Sequence, residues 1–290
     1  MFQTDMLSGQ HVLVTGGGTG LGRAMALRFA ELGAKVSLLG RREEPLTTTA
    51  ADITKNGAET AWTSCDVRDP VRVKASLDGL ESELGPITSL VNNAAGNFVW
   101  PTEDLSYNAF NAVVQIVLYG TFNCTTEMGR RWIGRGSGGT VLSIIATYAY
   151  EGGTPFVVPS ACAKAGVTSM MRSLAVEWGE YNIRTAAIAP GAFPTDGASS
   201  RLSVPAGSQP TEGPRSGIPL KRVGEHIELA NLMSYLLSPM AAYISGDTIT
   251  IDGAAHLKSG AGFGGLIDRP REEVKQAMRE MRERTTGTAG

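Results

Sequence analysis

This sequence predicts an α/β fold, with one doubly wound parallel sheet covered by helices on both faces. Three observations carry the prediction. Short runs rich in Val, Ile and Leu alternate along the chain with segments of helical apolar spacing. The strand-like runs are apolar along their length, as strands buried on both faces must be. A glycine-rich turn lies between the first strand and the first helix, which is the arrangement of a Rossmann-like nucleotide-binding unit.

The elements follow in order. HVLVT (11–15) is a β-branched run ending at glycines, and LGRAMALRFAELG has helical spacing that stops at Gly33. KVSLL (35–39) is the next strand, followed by helix-like EEPLTTTAADITKNG, then AWTSCDV and a helix over 70–84. ITSLVNN leads into a long helical stretch over roughly 104–135, and TVLSIIA (140–146) is a fully apolar strand. Residues 160–179 form a helix, IRTAAIAP a strand, HIELANLMSYLLS a helix and DTITID the last strand. A Gly/Ser/Pro-rich stretch at 196–219 is long enough to be a substrate loop or lid, or else a disordered insert. The domain reading is one nucleotide-binding catalytic domain over 8–258 and a C-terminal extension over 259–290. The extension carries the charged helix DRPREEVKQAMREMRER, with Asp268 as N-cap and Pro270 in the first turn.

Composition narrows the function classes. The 290 residues carry a formal charge of −2 and the pI is near 6.0, so there is no basic footprint for a nucleic-acid partner. No apolar run is long enough to span a bilayer, and the first residues lack a leader pattern, so the expected location is cytoplasmic. Cys65, Cys124 and Cys162 have no ligand spacing and read as reduced thiols. His11, His226 and His256 are scattered at element edges, so no metal is expected.

TGGGTGLG (15–22) sits where a pyrophosphate would meet backbone N–H groups and a helix N-terminus, although a tight turn could also use such glycines. The candidate cofactor residues there are Gly16, Thr19, Gly20, Leu21 and Gly22. An acid at the end of the second strand would grip a ribose 2′-hydroxyl, but Gly40 occupies that place and Arg41 and Arg42 follow. Guanidinium groups pair with phosphate, which favours NADPH over NADH; the alternative is that both arginines merely open a solvated helix.

TGGGTGLG, CDV (65–67), NNAAG (92–96), the Ser160–Lys164 region and IAPG (188–191) occur in an order that resembles the short-chain dehydrogenase/reductase family over roughly residues 8–256. The resemblance implies that Asp66 and Val67 hold the adenine and that Asn93, Ala94 and Gly96 border the adenosine ribose. It also implies that Pro190, Gly191 and Thr195 flank the nicotinamide, and that the protein is a homotetramer built through the helices near 104–135 and 160–179. Three customary catalytic groups are replaced. Ser160 stands where the family has its acid tyrosine, Ile145 or Ala146 where it has its serine, and Val117 where it has its asparagine.

NAAGNFVWPTEDLS, IVLYGTF, FVVPSACAKAG and LAVEWG resemble one branch of that family, the 2,4-dienoyl-CoA reductases of the mitochondrial type. The implied activity is NADPH-dependent reduction of 2,4-dienoyl-CoA to 3-enoyl-CoA, an auxiliary step of unsaturated fatty acid β-oxidation. In that branch a tyrosine after the apolar strand contacts the thioester oxygen, and here Tyr148 takes the place, with Tyr150 as alternative. Tyr119 replaces the branch's asparagine, either as a second donor or as a packing aromatic. Lys164 would hold the nicotinamide ribose, and Ser160 would hydrogen-bond near the thioester or the lysine. The rival readings are reduction of another enoyl thioester or enone, and a non-catalytic NADPH-binding protein.

Overall fold

The computed structural model describes residues 3–150, 153–195, 217–258, 266 and 268–287. Most of the expected loop at 196–219 therefore lies outside the described residues. The strands are β1 (His11–Thr15), β2 (Lys35–Gly40), β3 (Thr60–Ser64), β4 (Ser89–Asn92), β5 (Gly139–Ile144), β6 (Ile183–Pro190) and β7 (Thr248–Ile251). They form one parallel sheet in the order β3-β2-β1-β4-β5-β6-β7. The order reverses between β1 and β4, which opens a crevice at their C-terminal ends.

Side-chain alternation divides the core between the two faces. Val12 and Val14 of β1 join one cluster with Met25 and Phe29 of α1 (Gly20–Glu31), Ile53 of α2 (Glu43–Lys55) and Met233 of α7 (His226–Leu237). Leu13 joins the other cluster, with Leu77 of α3 (Pro70–Leu84), Met128 of α5 (Gly120–Arg135) and Val167 of α6 (Val158–Glu177). β1 is thus buried on both faces, as its apolar run requires, whereas the edge strands β3 and β7 are only partly buried.

Two expectations are corrected. The long helical stretch begins as a single 3₁₀ turn at Thr102–Asp104, and α4 (Tyr107–Val114) starts only after Ser106. The Ser106 hydroxyl accepts the Ala109 N–H at 3.2 Å, an N-cap that fixes the start. A π-helical turn at Gln115–Tyr119 then joins α4 to α5. At the C-terminal end, the helix α9 (Arg271–Gly287) begins after Pro270. The Asp268 carboxylate is turned away from a capping role and accepts from Lys221 (2.9 Å) and Lys258 (2.6 Å), the latter closing the short α8 (Ala255–Lys258). Two ammonium partners outcompete a backbone N–H for an exposed carboxylate. Among the described residues, no helix is long and apolar enough to cross a membrane, and all three cysteines are free.

Candidate active site

The crevice between β1 and β4 holds the glycine turn. Gly16 and Gly20 have positive φ, and a Cβ on Gly22 would lie 2.2 Å from the Gly16 carbonyl oxygen and 2.5 Å from Asn93 Nδ2. Nothing larger than glycine fits at 22, because backbone is one of the obstacles. Thr19 is the N-cap of α1 but makes no side-chain cap bond, and no acid lies in the first turn. Its N–H groups are left for an anion, whereas α3 is capped by Asp69 and α7 by a Glu225–Glu228 capping box. Leu21 packs against the core behind the turn, and Thr195 lies over Gly20. Pro190 ends β6, and Gly191 backs directly onto Asp252.

Asp66, expected at the adenosine, accepts from the Arg68 guanidinium at 2.6 and 3.0 Å, and this pairing holds the Asp66 carboxyl below the usual carboxylate range. The Val67 carbonyl accepts from Asn123 of α5 at 2.9 Å, pinning this turn to the helix layer. Arg41 and Arg42 are exposed at the end of β2, and neither guanidinium is in an ion pair among the described residues. Gly96 lies beside Ile116, just beyond the crevice.

The residues expected to be catalytic lie on α6 and in the loop after β5. Ser160 and Lys164 are one helical turn apart, 2 % and 7 % exposed. The Lys164 ammonium donates to the Ile144 carbonyl at the end of β5, and burial pulls its pKa down to about 8. Tyr148 lies in a 3₁₀ turn, Thr147–Ala149, and its hydroxyl is 2.9 Å from Ser160 Oγ. Asn97 Nδ2 makes a longer contact to the same phenol oxygen, at 3.4 Å. The Asn97 amide is oriented by its own Oδ1, which accepts the Phe98 N–H at 2.9 Å. Burial raises the Tyr148 pKa, so the phenol stays protonated at neutral pH. The Asn97 amide donates to the phenol oxygen, and either hydroxyl of the Tyr148–Ser160 pair can be the donor; in the arrangement where Ser160 donates, the phenol proton is free for a third acceptor.

The family model described as enoyl-(acyl carrier protein) reductase matches residues 16–256, which take in β2 to β7, the glycines of the turn and the Tyr148–Ser160–Lys164 cluster. The chain belongs to the short-chain dehydrogenase/reductase family. It is 44% identical over 262 residues to a probable 2,4-dienoyl-CoA reductase, (3E)-enoyl-CoA-producing, of Caenorhabditis elegans, covering 89% of this chain and 84% of the relative. It is 42% identical over 247 residues to a probable 2,4-dienoyl-CoA reductase, (2E)-enoyl-CoA-producing, of Bacillus subtilis, covering 85% and 96%. A short-chain dehydrogenase from Bacillus anthracis superposes with a TM-score of 0.76 at 41% identity, covering 85% of this chain and 96% of that one.

Short-chain dehydrogenase/reductases use a nicotinamide cofactor, and the uncapped start of α1 with the closely packed glycine turn fits one. Within this member of the family, Asn93 and Ala94 brace that turn. Asn93 Nδ2 donates to the Thr15 and Gly16 carbonyls (3.0 and 3.3 Å), and both backbone N–H groups reach Thr15 Oγ1 at 3.0 Å. Tyr150 packs partly against the core on the α3/α5/α6 side, and Tyr148 contacts Ser160. Tyr119 closes the π turn, 55% exposed, and among the described residues no hydrogen bond joins it to Tyr148, Ser160 or Lys164. Sequence reasoning missed Asn97, which directly follows NNAAG. A polar residue just past the C-terminal end of a central strand was the available signal.

Proposed function

We propose that this oxidoreductase is an NADPH-dependent reductase of 2,4-dienoyl-CoA, giving 3-enoyl-CoA. The observation that carries the reading is the Tyr148 hydroxyl set between Ser160 and Asn97, beside a buried Lys164, with serine in the usual acid position. A carbonyl reduced to an alcohol needs an acid at its oxygen. A conjugated thioester does not, because hydride added at C5 drives the electron pair onto the thioester oxygen as a dienolate. When bound, the reduced nicotinamide supplies that hydride. Tyr148, holding its proton at neutral pH, donates a hydrogen bond to the developing oxyanion. Ser160 and Asn97 keep the phenol oriented. Tyr119 would add a second donor from the π turn. Lys164, charged below about pH 8, holds the nicotinamide ribose and adds positive charge. A proton from water at C2 completes the 3-enoyl product, whereas a proton at C4 would give the 2-enoyl isomer named for the Bacillus subtilis relative.

Arg41 and Arg42, in no ion pair among the described residues at the end of β2 where Gly40 replaces an acid, support NADPH as the cofactor, held by Asp66, Val67, Asn93, Ala94 and Gly96 along the adenosine and by Pro190, Gly191 and Thr195 at the nicotinamide. The reading further takes the enzyme as a cytoplasmic homotetramer. Exposed apolar side chains on the central helices, Tyr107, Phe122 and Val176, support the assembly, which sedimentation would measure.

The test is NADPH oxidation with a 2,4-dienoyl-CoA against a matched trans-2-enoyl-CoA. Oxidation with the diene alone and a 3-enoyl product is expected. Silence with both thioesters, while NADPH still binds, would leave only a nucleotide-binding protein.

A further inference from the structure

Phe156 is one of four non-glycine residues with positive φ among the described residues, at +66°. A bulky residue there is strained, and such strain is usually found where structure serves function. Its carbonyl accepts the Trp100 N–H at 2.9 Å, tying the loop after β4 to the loop before α6. That bond closes a ring. Asn97, three residues before Trp100, touches the Tyr148 hydroxyl, and so does Ser160, four residues after Phe156. The two aromatic residues are therefore joined through their backbones at the edge of the phenol site.

Both side chains stay accessible, Trp100 at 52% and Phe156 at 50%. The indole is not loose: its Nε1 donates to the Asp104 carbonyl at 3.1 Å, which meets its only polar need and leaves an apolar face. Exposed aromatics held rigidly beside a polar site are what an apolar ligand segment would cover. A charged segment suits the place poorly, because Glu103 and Asp104 stand exposed in the next turn and would repel phosphate groups.

We propose that Trp100 and Phe156 form the subsite for the apolar acyl chain of the thioester substrate, and so set chain-length preference. The proposal rests on reading the Tyr148 site as one for acyl thioesters. The experiment is a series of 2,4-hexadienoyl-, octadienoyl- and decadienoyl-CoA, with wild type, Trp100→Ala and Phe156→Gly. The second variant removes the ring while relieving the left-handed backbone, so it is not expected to misfold, and a thermal melt checks this. Each methylene buried in wild type can raise kcat/KM by up to roughly fourfold. Both variants should flatten that rise, lowering kcat/KM for the decadienoyl substrate about tenfold, with the hexadienoyl value and saturated kcat nearly unchanged.

An unaltered length dependence in both variants would overturn the subsite. So would an equal loss at every length accompanied by weaker inhibition by free coenzyme A, which would assign the aromatics to the nucleotide end. If wild type reduces none of the dienes, the proposed reaction fails, and the subsite is then read from calorimetric binding of hexanoyl- and decanoyl-CoA. A preference for the longer chain that Trp100→Ala abolishes would sustain it, and no such preference would end it.

Discussion

A single phenol carries the chemistry proposed for this protein, and its neighbours specify what it can do. Tyr148 has a raised pKa from burial, so it is a hydrogen-bond donor at neutral pH. Replacing it by Phe keeps the ring and removes the donor, so kcat should fall about a hundred- to thousandfold with NADPH affinity unchanged. Stopped-flow turnover together with a fluorescence titration of NADPH checks both halves, and unchanged turnover would end the role. Lys164 makes a second prediction. Burial pulls its pKa down to about 8 in the folded protein, against 10.5 for a lysine in the unfolded chain. If its charge is needed, kcat/KM should decline as pH rises through about 8. The same shift has a stability sign. Between about pH 8 and 10.5 the unfolded chain holds a proton that the folded one has released, so stability should rise with pH across that window, and Lys164→Met should lose the rise. The one-turn spacing of Ser160 and Lys164 was visible in the sequence, whereas Tyr148 was singled out through the resemblance to the 2,4-dienoyl-CoA reductases. Asn97 was not singled out, because its role depends on a contact to a residue 51 positions away.

At the scale of elements, close contacts decide which substitutions the fold accepts. A methyl on Gly22 would meet the Gly16 carbonyl at 2.2 Å, and backbone cannot step aside without opening the turn. Gly79, in the exposed interior of α3, has nothing within 4 Å. Gly22→Ala should therefore lower the melting temperature and abolish the stabilisation that the cofactor brings, while Gly79→Ala should add about 1 kcal/mol through helix propensity alone. Chemical denaturation of both variants, with and without cofactor, compares them directly. His11 joins three elements: Nδ1 reaches the Gly85 carbonyl (2.8 Å) after α3, and Nε2 reaches Ser37 of β2 (2.7 Å). Burial lowers its pKa below 6.5, so the folded state prefers the neutral ring. Stability should fall as pH drops below 6.5, by at most about 1.4 kcal/mol per pH unit from this group. Urea midpoints at pH 7 and pH 5 should differ less in His11→Gln than in wild type. The strands and helices themselves were legible because apolar periodicity is local. The π turn at Gln115–Tyr119 was not, since it substitutes one hydrogen-bond register for another without changing the apolar pattern.

For the whole molecule, the two sheet faces and the crevice between β1 and β4 turn local preferences into one nucleotide site. Alternating apolar and helical segments foretold the parallel sheet, yet the reversal of strand order that places Thr15, Asn93 and the glycine turn together is a long-range fact. That crevice also allows cofactor identity to be read from global stability. A ligand that binds only the folded state stabilises it by RT ln(1 + [L]/Kd), about 2.7 kcal/mol at a hundred times Kd. Arg41 and Arg42 stand exposed where a 2′-phosphate would lie, and Gly40 offers no carboxylate to a ribose hydroxyl. At equal concentrations NADPH should therefore raise the melting temperature by several degrees and NADH by much less. The double variant Arg41→Ala/Arg42→Ala should bring the NADPH shift down to the NADH value without altering the melt of the free protein, because neither arginine is in an ion pair among the described residues. An unchanged NADPH preference in that variant would mean that the 2′-phosphate is held from elsewhere in the crevice. Arg68 is then the next cation to test, since releasing it from Asp66 would cost two charge-assisted bonds that Arg41 and Arg42 do not have to break.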